Sequence, residues 1–191
     1  NVNYTKIEKA LTLDLGGKTL TSTAAGFDVY ANFTLKNGTL NTATWGVWVQ
    51  NSDVTFTLES DATVNADCNT DRTNASGVVV VQGAIANISG TVTARHNFAV
   101  SGNGTAGWGN VTINVKHGAV ITTTEDAPAL YFPNTTALNI SGGTITGGTG
   151  VYVKSGTLTI TDGTIVGNGP QDAYVYNGNG ANSTGDALVV E

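Results

Sequence analysis

One short pattern recurs along the chain and constrains its fold more than any other feature. The pattern is Gly-Thr-apolar-Thr, and seven close variants of it follow one another at intervals of about 20 to 28 residues. The copies lie at 17–21, 37–41, 61–65, 89–93, 117–121, 142–146 and 162–166. A period of this size predicts a solenoid, because one such unit buries its apolar side only by stacking on its neighbours.

Two further short runs accompany most copies. An alternating run precedes the pattern at 11–13, 33–35, 56–58, 111–113, 138–140 and 158–160, and an apolar run follows it at 47–49, 78–80, 98–100, 130–132, 151–153 and 173–175. Helical periodicity is absent over any long stretch. We therefore expect an all-β chain, a right-handed parallel β-helix of about seven three-strand coils over residues 11–191, with residues 1–10 as an N-terminal cap or docking segment.

The composition agrees with this fold and excludes some functions. The 191 residues include 25 Gly, and 14 acidic residues outnumber 8 basic ones to give a net charge of −6. An acidic chain lacks the basic face that nucleic-acid binding needs. No apolar run approaches the ~18 residues of a membrane-spanning helix. The single cysteine, Cys68, excludes an internal disulfide framework.

Two segments carry a resemblance to known proteins. The run Leu-Asp-Leu-Gly-Gly-Lys-Thr-Leu at 13–20 and the run Ser-Gly-Gly-Thr-Ile-Thr-Gly at 141–147 resemble right-handed parallel β-helix repeats of the pectate-lyase-like superfamily. They are most similar to the Thr/Asn-rich repeats of adhesin-like surface proteins of bacteria and archaea. The resemblance covers about residues 11–190 and implies an extracellular or cell-surface location. It leaves the function open, because the superfamily includes enzymes, adhesins and phage spikes.

The catalytic residues that the superfamily's enzymes imply are largely absent. Its lyases imply a carboxylate cluster with a Lys or Arg base, and its hydrolases imply two or three Asp side chains. Residues 69–71 match one short piece of the polygalacturonase pattern, and 116–118 match only part of another. The spacing of Asp67 and Asp71 is that of a calcium loop, but Arg72 stands where the turn needs glycine.

We therefore predict no catalytic residue, no metal and no cofactor. Arg95 and His96 are interpreted as solvated loop residues. A polysaccharide lyase or glycoside hydrolase remains the alternative, with Asp67, Asp71 and Arg95 as its candidate residues.

The third run of each coil predicts an aromatic outer strip. If the flanking valines point inward, the middle residues point outward. That column is expected to contain Asp28, Trp48, Val79, Ala99, Tyr131, Tyr152 and Tyr174. With Trp108 from the Gly-rich loop 101–109, these rings form a candidate strip that binds glycans or a protein partner, since exposed rings stack on both. The alternative is that the tyrosines favour strands or pack under a neighbouring loop.

Two further surface features point to other roles. Regular Thr-x-Thr rows are an ice-binding arrangement, but Asn41, Asn65, Ala119, Ile121 and Val166 interrupt this one. Ten Asn-x-Ser/Thr sequons suggest a glycosylated surface protein. The sequons are at Asn3, Asn32, Asn37, Asn74, Asn87, Asn103, Asn110, Asn134, Asn139 and Asn182.

The chain stops in a strand-like run at 186–191, so it is either part of a longer solenoid or stacks on copies of itself head to tail. The sequence thus predicts a non-catalytic surface module, adhesive or filament-forming, with glycans, surface proteins or its own copies as partners.

Overall fold

The chain folds into stacked parallel β-strands, as a computed structural model shows for residues 4–67, 76–95, 97–124, 127–169 and 184–191. The strands in chain order are β1 (Thr5–Ile7), β2 (Leu11–Ser22), β3 (Phe27–Val29), β4 (Phe33–Thr42), β5 (Val47–Val49), β6 (Thr55–Leu58), β7 (Ala62–Ala66), β8 (Val78–Val80), β9 (Ile85–Ile88), β10 (Thr91–Ala94), β11 (Val100–Gly102), β12 (Thr112–Val115), β13 (Val120–Thr123), β14 (Pro128–Phe132), β15 (Ala137–Gly147), β16 (Thr149–Val153), β17 (Thr157–Gly167) and β18 (Leu188–Val190).

The strands form two sheets that wind around a common core. Sheet A has eight strands in the order β1-β3-β5-β8-β11-β14-β16-β18, and sheet B has ten. Sheet B covers two faces, because the first half of β4 pairs with β6 and its second half pairs with β7. The result is a β-solenoid of about six turns, which confirms the predicted all-β, stacked parallel fold. The right-handed sense stays a prediction.

The core consists of columns of apolar side chains, one from each coil. One column runs from Leu40 through Val64, Val92 and Ile121 to Ile145, and each of these side chains is at most 1% exposed. The strand pleat alternates side chains between inside and outside, so every second residue joins such a column. Burial of each large apolar side chain stabilises the fold by about 1.5–3 kcal/mol.

A tight corner between the two faces of sheet B depends on residues that tolerate positive φ. Asn37 has φ of 54°, a left-handed conformation that asparagine adopts more readily than most residues. Its backbone N–H donates to Asp61 Oδ1 at 2.9 Å, and its side-chain amide donates to Asp14 Oδ1 at 3.0 Å. These bonds tie the corner to the coils on either side.

The fifth copy of the repeat lies one residue away from its predicted register. Val120, not Ala119, pairs with Thr91 and therefore occupies the outward threonine position. The reason is the turn before β13, where the Ala119 N–H donates to the Lys116 carbonyl and holds Ala119 inside at 1% exposure. The next outward residue is accordingly Thr122 rather than Ile121.

Two of the predicted third runs also differ from the strands. The strand over the fourth coil is β11, so Ser101 rather than Ala99 pairs with Val79 and Tyr131. At the other end of sheet A, Val189 of β18 pairs with Tyr152. The run 173–175 therefore does not supply this strand, and it lies outside the described residues.

The N-terminal segment is part of the solenoid wall. β1 pairs in parallel with β3 and begins sheet A, with Lys6 beside Asp28. Over the residues that the structure describes, there is no helix of the length and apolarity that crossing a membrane requires.

Candidate functional site

Six aromatic side chains lie in two groups near the outer surface of sheet A. We call Trp45, Trp48 and Trp108 the tryptophan cluster, and Phe98, Tyr131 and Tyr152 the tyrosine cluster. The rings within each group contact one another at centroid distances of 4.5–6.1 Å. The two groups differ in exposure, and this difference identifies the candidate site.

The tyrosine cluster is buried. Tyr131 is only 4% exposed and Tyr152 only 5%, because Phe98 stacks on Tyr131 at 4.5 Å and Tyr131 meets Tyr152 edge-on at 6.1 Å. Val189 packs against the same group. The predicted exposed ladder is therefore wrong for Tyr131 and Tyr152. Tyr174, the third predicted member, lies outside the described residues.

Polar contacts fix the hydroxyl end of the tyrosine cluster. The Tyr152 hydroxyl donates to Glu191 Oε1 at 2.5 Å, and Lys154 Nζ lies 3.2 Å from Glu191 Oε2. Burial, followed by the hydrogen bond to Glu191, raises the pKa of Tyr152 to about 12. The same hydrogen bond, together with Lys154, lowers the pKa of Glu191. The rings of the tyrosine cluster are therefore buried, and the Tyr152 hydroxyl is hydrogen-bonded within the protein, so this group stabilises the fold.

The tryptophan cluster is only half buried. Trp48 is the outward residue of β5, and its ring meets Trp45 at 4.9 Å and Trp108 at 5.7 Å, both edge-to-face. Trp45 lies in the corner before β5, directly ahead of Gly46. Trp108 comes from the loop between β11 and β12. Three partly exposed indoles in contact form a platform of the kind that aromatic recognition sites use.

Backbone hydrogen bonds hold the loop that carries Trp108 against the solenoid. The Trp108 carbonyl accepts from the Gln82 N–H at 3.0 Å, and the Gly109 carbonyl accepts from the Gly83 N–H at 2.9 Å. The Trp108 N–H donates to the Thr105 carbonyl at 2.9 Å. These bonds fix the loop on both sides of Trp108, and the Trp108 ring lies against Trp48 on the outer face of sheet A.

Polar side chains lie next to Trp48 on the preceding coil. Asp28 pairs with Trp48 in register, one inter-strand spacing of about 4.8 Å away. Its carboxylate accepts hydrogen bonds from the Gln50 amide and from the Tyr30 hydroxyl, and this second bond raises the pKa of Tyr30. Burial and the charge of Asp28 raise the pKa of Tyr4. An aromatic platform therefore adjoins a network of donors and acceptors.

A separate groove of about 710 Å³ runs over the carboxyl ends of five strands of sheet B, β2, β4, β7, β10 and β13. Its described lining is Thr21, Ser22, Thr23, Asn41, Thr42, Ala43, Asn65, Ala66, Asp67, Thr93, Arg95 and Thr124. Arg95 Nη1 lies 3.4 Å from Asp67 Oδ1, and the Asn65 amide donates to Asn41 Oδ1 at 2.9 Å. Only one carboxyl group occurs among these lining residues.

The groove residues that the enzyme alternative names are therefore only partly placed. Asp67 and Arg95 lie together, whereas Asp71 falls outside the described residues, as does His96, which was expected to be a solvated loop residue. No group of three His, Cys, Asp or Glu side chains that could hold a metal ion occurs in the described ranges.

The sequons occupy very different environments. Asn134 is 2% exposed and its amide donates to the Asn103 carbonyl at 2.8 Å, so its prediction as a glycosylation site is wrong for the folded chain. Asn139 donates through its amide nitrogen to Asn114. Asn32 and Asn110 are exposed. The remaining candidates divide into Asn37, Asn87 and Asn103, which are half-buried, and Asn3, Asn74 and Asn182, which lie outside the described residues.

Sequence reasoning brought Trp48 and Trp108 into one strip but missed Trp45 and Gln50. A signal for Trp45 exists in the repeat, because it precedes the corner glycine Gly46 at the position where Phe98 precedes Ala99. Both aromatic residues project beside the next outward side chain of sheet A.

No protein-family model, no curated protein and no solved structure matches the chain.

Proposed function

We propose that this β-solenoid is a non-catalytic adhesive module of the cell surface or the extracellular medium, and that it binds neutral glycans at the tryptophan cluster. The observation that carries the proposal is the contact of three half-buried tryptophans beside a hydrogen-bonding group. Sugar rings present apolar C–H faces and hydroxyl edges, so they combine stacking with directed hydrogen bonds.

Each part of the site has a distinct task in this proposal. The Trp48 and Trp45 rings supply the apolar surface on which a pyranose stacks, and Trp108 closes one side. Gln50, two residues after Trp48 on the same coil, supplies polar groups for the sugar hydroxyls, and Asp28 on the preceding coil, only 9% exposed, accepts from the Gln50 amide and orients it. The register between Asp28 and Trp48 orients the glycan along the solenoid axis.

Charge selects among glycans. The chain carries a net charge of −6, and the carboxylate of Asp28 lies beside the platform. Uronic acids and sulfated sugars would place a second negative charge near Asp28, which opposes their binding. Neutral hexose polymers avoid this repulsion.

Other observations support the non-catalytic and extracellular parts of the proposal. Glycoside hydrolysis requires two carboxyl groups across the scissile bond. The described lining of the groove offers only Asp67, which is already paired with Arg95. The exposed sequons Asn32 and Asn110 are compatible with a glycosylated surface protein. Ice binding gains less support, because Asn41, Asn65 and Val166 still interrupt the second threonine column in the observed register.

The test is binding of the purified chain to soluble neutral and uronate-containing polysaccharides, measured by calorimetry with product analysis for chain cleavage. We expect retention of a neutral glycan without cleavage, and a loss of at least about tenfold in affinity for Trp48→Ala and Trp108→Ala. Tyr152→Phe is the matched control, since it alters an aromatic residue of the same sheet outside the cluster.

Three results would contradict the proposal. Equal binding by Trp48→Ala and the unchanged chain would remove the cluster from the site. Preference for uronates would contradict the role of Asp28. Release of shorter chains would show an enzyme. Gln50→Ala, which leaves the ring contacts intact, separates lost recognition from lost folding if Trp48→Ala proves unstable.

A further inference from the structure

The side-chain amide of Gln50 is held in one orientation beside the tryptophan cluster. Gln50 follows Trp48 by two residues, so both side chains leave the chain on the outer face of sheet A, about 7 Å apart. Gln50 Nε2 donates a hydrogen bond to Asp28 Oδ1. Because a carboxylate only accepts hydrogen bonds, the nitrogen of this amide, and not its oxygen, must face Asp28.

The Tyr30 hydroxyl engages the same amide. It donates to the Asp28 carboxylate, and this bond raises the pKa of Tyr30, whereas its hydrogen bond with Gln50 acts in the opposite direction. A hydrogen bond lowers the pKa of a phenol when the phenol oxygen accepts it, so Gln50 is the donor here. The two protons of the Gln50 amide nitrogen thus have acceptors within the protein.

The carbonyl oxygen of Gln50 is the atom left to face a ligand. Among the residues that the structure describes, no group donates a hydrogen bond to Gln50 Oε1. The described side-chain polar atoms that are buried without a partner belong to Thr44, Ser76 and Asn134. Gln50 Oε1 is not one of them, so it contacts solvent. A ligand that meets this oxygen must therefore bring a donor.

The tryptophan cluster offers a ligand two walls. The Trp108 ring meets the Trp48 ring at an interplanar angle of 87°, and the Trp45 ring meets it at 78°. One indole face accommodates the flat side of a pyranose, and a ring nearly perpendicular to it adds apolar surface for a substituent of that pyranose. A methyl group suits the second wall, because its burial removes further apolar area from water.

An acetamido group combines the two features that this geometry favours. Its N–H donates, which matches Gln50 Oε1, and its methyl group is apolar, which matches the second indole. A sugar hydroxyl has no methyl group, and the ammonium of a free amino sugar is strongly hydrated. The acetamido group is also uncharged, so it avoids the repulsion from Asp28 that opposes uronates.

We infer that the tryptophan cluster selects glycans that contain N-acetylhexosamine, with Gln50 Oε1 accepting from the acetamido N–H. The indoles of Trp48 and Trp108 enclose the pyranose and the acetamido methyl group. Asp28 and Tyr30 are positioning residues, which fix the Gln50 amide without touching the sugar. The inference rests on the proposed function, since it names the class of sugar that the same site takes.

The test compares sugars that differ only at carbon 2. The methyl glycosides of N-acetylglucosamine and N-acetylgalactosamine are paired with those of glucose and galactose, and each is titrated into the 191-residue chain by saturation-transfer NMR. We expect at least one acetamido sugar to bind at least about fivefold more tightly than its hydroxyl partner, as one additional hydrogen bond provides. The acetamido methyl protons should receive the strongest saturation, because they contact an indole.

Variants of the amide network test how the preference arises. Asp28→Asn replaces the carboxylate with a group that both donates and accepts, so the Gln50 amide is no longer fixed, and Gln50→Ala removes the acceptor. We expect the ratio of acetamido to hydroxyl affinity to fall toward one in both variants. Tyr152→Phe, outside the cluster, is the matched control and should keep the ratio of the unchanged chain. Because the ratio is taken within one variant, partial unfolding lowers both affinities alike and leaves it readable.

The outcomes separate this inference from the function on which it rests. Equal or tighter binding of the hydroxyl sugars overturns the inference and leaves neutral-glycan binding as proposed. Binding of neutral polysaccharides without binding of either acetamido glycoside has the same meaning. A preference that persists in Gln50→Ala also overturns the inference. If neither the glycosides nor the polysaccharides bind, the proposed function fails with it.

Discussion

In both sheets every second side chain points outward. The outward side chains of sheet B remain exposed to solvent, whereas several of those on sheet A are buried. On sheet B the outward column Thr12, Thr34, Thr57, Asn87, Asn114, Asn139 and Thr159 stays at the surface. On sheet A the equivalent column includes Val79 at 2% and Tyr131 at 4% exposure. The pleat therefore decides which side of the wall a side chain takes, and it does not decide whether water reaches that side.

Neighbouring segments make the difference. The corner residues Trp45 and Phe98 project over sheet A, and the loop with Trp108 folds onto it. Among the described residues, the corners between the two faces of sheet B are short and contain glycine and asparagine, such as Asn37. The solenoid thus keeps two hydrated faces and one face with a second layer of packing, half open at the tryptophan cluster.

The largest expected effect is a difference in stability between two alanine variants, one on the outer side of sheet A and one on the outer side of sheet B. Tyr131→Ala removes a ring that contacts Phe98 and Tyr152, and we expect it to lower the free energy of unfolding by about 3 kcal/mol. Thr144→Ala, an exposed outward position of sheet B, should change it by no more than about 0.5 kcal/mol. Urea denaturation of both variants measures the two values, and equal losses would contradict the distinction between the faces.

The second largest expected effect is a loss of folding stability at alkaline pH through the buried tyrosines of sheet A. Burial raises the pKa of Tyr131 and Tyr152 to about 12, above the value of about 10 in an unfolded chain. The folded state therefore favours the neutral phenols, and this stability is complete below pH ~10 and is lost as the pH rises toward about 12. The ultraviolet absorbance of tyrosinate, followed with denaturant midpoints, measures this loss.

The control for the alkaline effect is the double variant Tyr131→Phe and Tyr152→Phe. It keeps the rings and removes the ionisable hydroxyls, so the decline of its denaturant midpoint above pH ~10 should be smaller. An unchanged decline would place the alkaline weakness elsewhere in the molecule.

The hydrated face has its own, smaller stabilising device. Asn114 lies in an amide ladder, donating to Asn87 at 3.0 Å and accepting from Asn139 at 2.9 Å. Asn114→Ala removes both bonds, and we expect a loss of about 1–2 kcal/mol in unfolding free energy. Thr57→Ala, in the same outward column but outside the ladder, is the matched control and should lose less. Equal losses would show that the ladder adds nothing beyond strand packing.

The periodicity of the sequence predicted most of the fold. It did not predict which outward-pointing side chains are buried. The recurrence of Gly-Thr-apolar-Thr was enough to predict the stacked coils, because each inward residue, such as Val64 or Val92, must find partners above and below. It could not predict that Val120 replaces Ala119 in its column, since the turn at 116–119 has four residues where the preceding coil has only Ser89 and Gly90.

The candidate site was predictable only in part, for a related reason. Trp48 follows from strand alternation and Trp45 occupies the corner position equivalent to Phe98, but Trp108 reaches the site from a loop whose path the repeat does not specify. Tyr131 and Tyr152 were expected to be exposed because they alternate outward, and the ring of Phe98 covers Tyr131 from outside the strand. Contacts of this kind depend on loop geometry and not on repeat register.

The smallest expected effect concerns the pKa values of Asp14 and Glu191, which are lowered by different hydrogen-bond donors. The pKa of Asp14, at a corner of sheet B, is lowered first by the Gly16 N–H and then by Lys36 at 3.3 Å. The pKa of Glu191 is lowered first by the Tyr152 hydroxyl. In both cases the stabilisation is present above the unfolded carboxyl pKa and is lost as the pH falls through the folded value.

Removal of one partner should therefore act unequally on the two groups. Lys36→Ala should raise the pKa of Asp14 only part of the way to its ordinary value, because the backbone donor remains, whereas Tyr152→Phe removes the first cause at Glu191 and should raise that pKa further toward normal. Carboxyl chemical shifts followed through an acid titration measure both. A full return of Asp14 in Lys36→Ala would mean that the surface ion pair, usually weak, outweighs the backbone hydrogen bond at this corner.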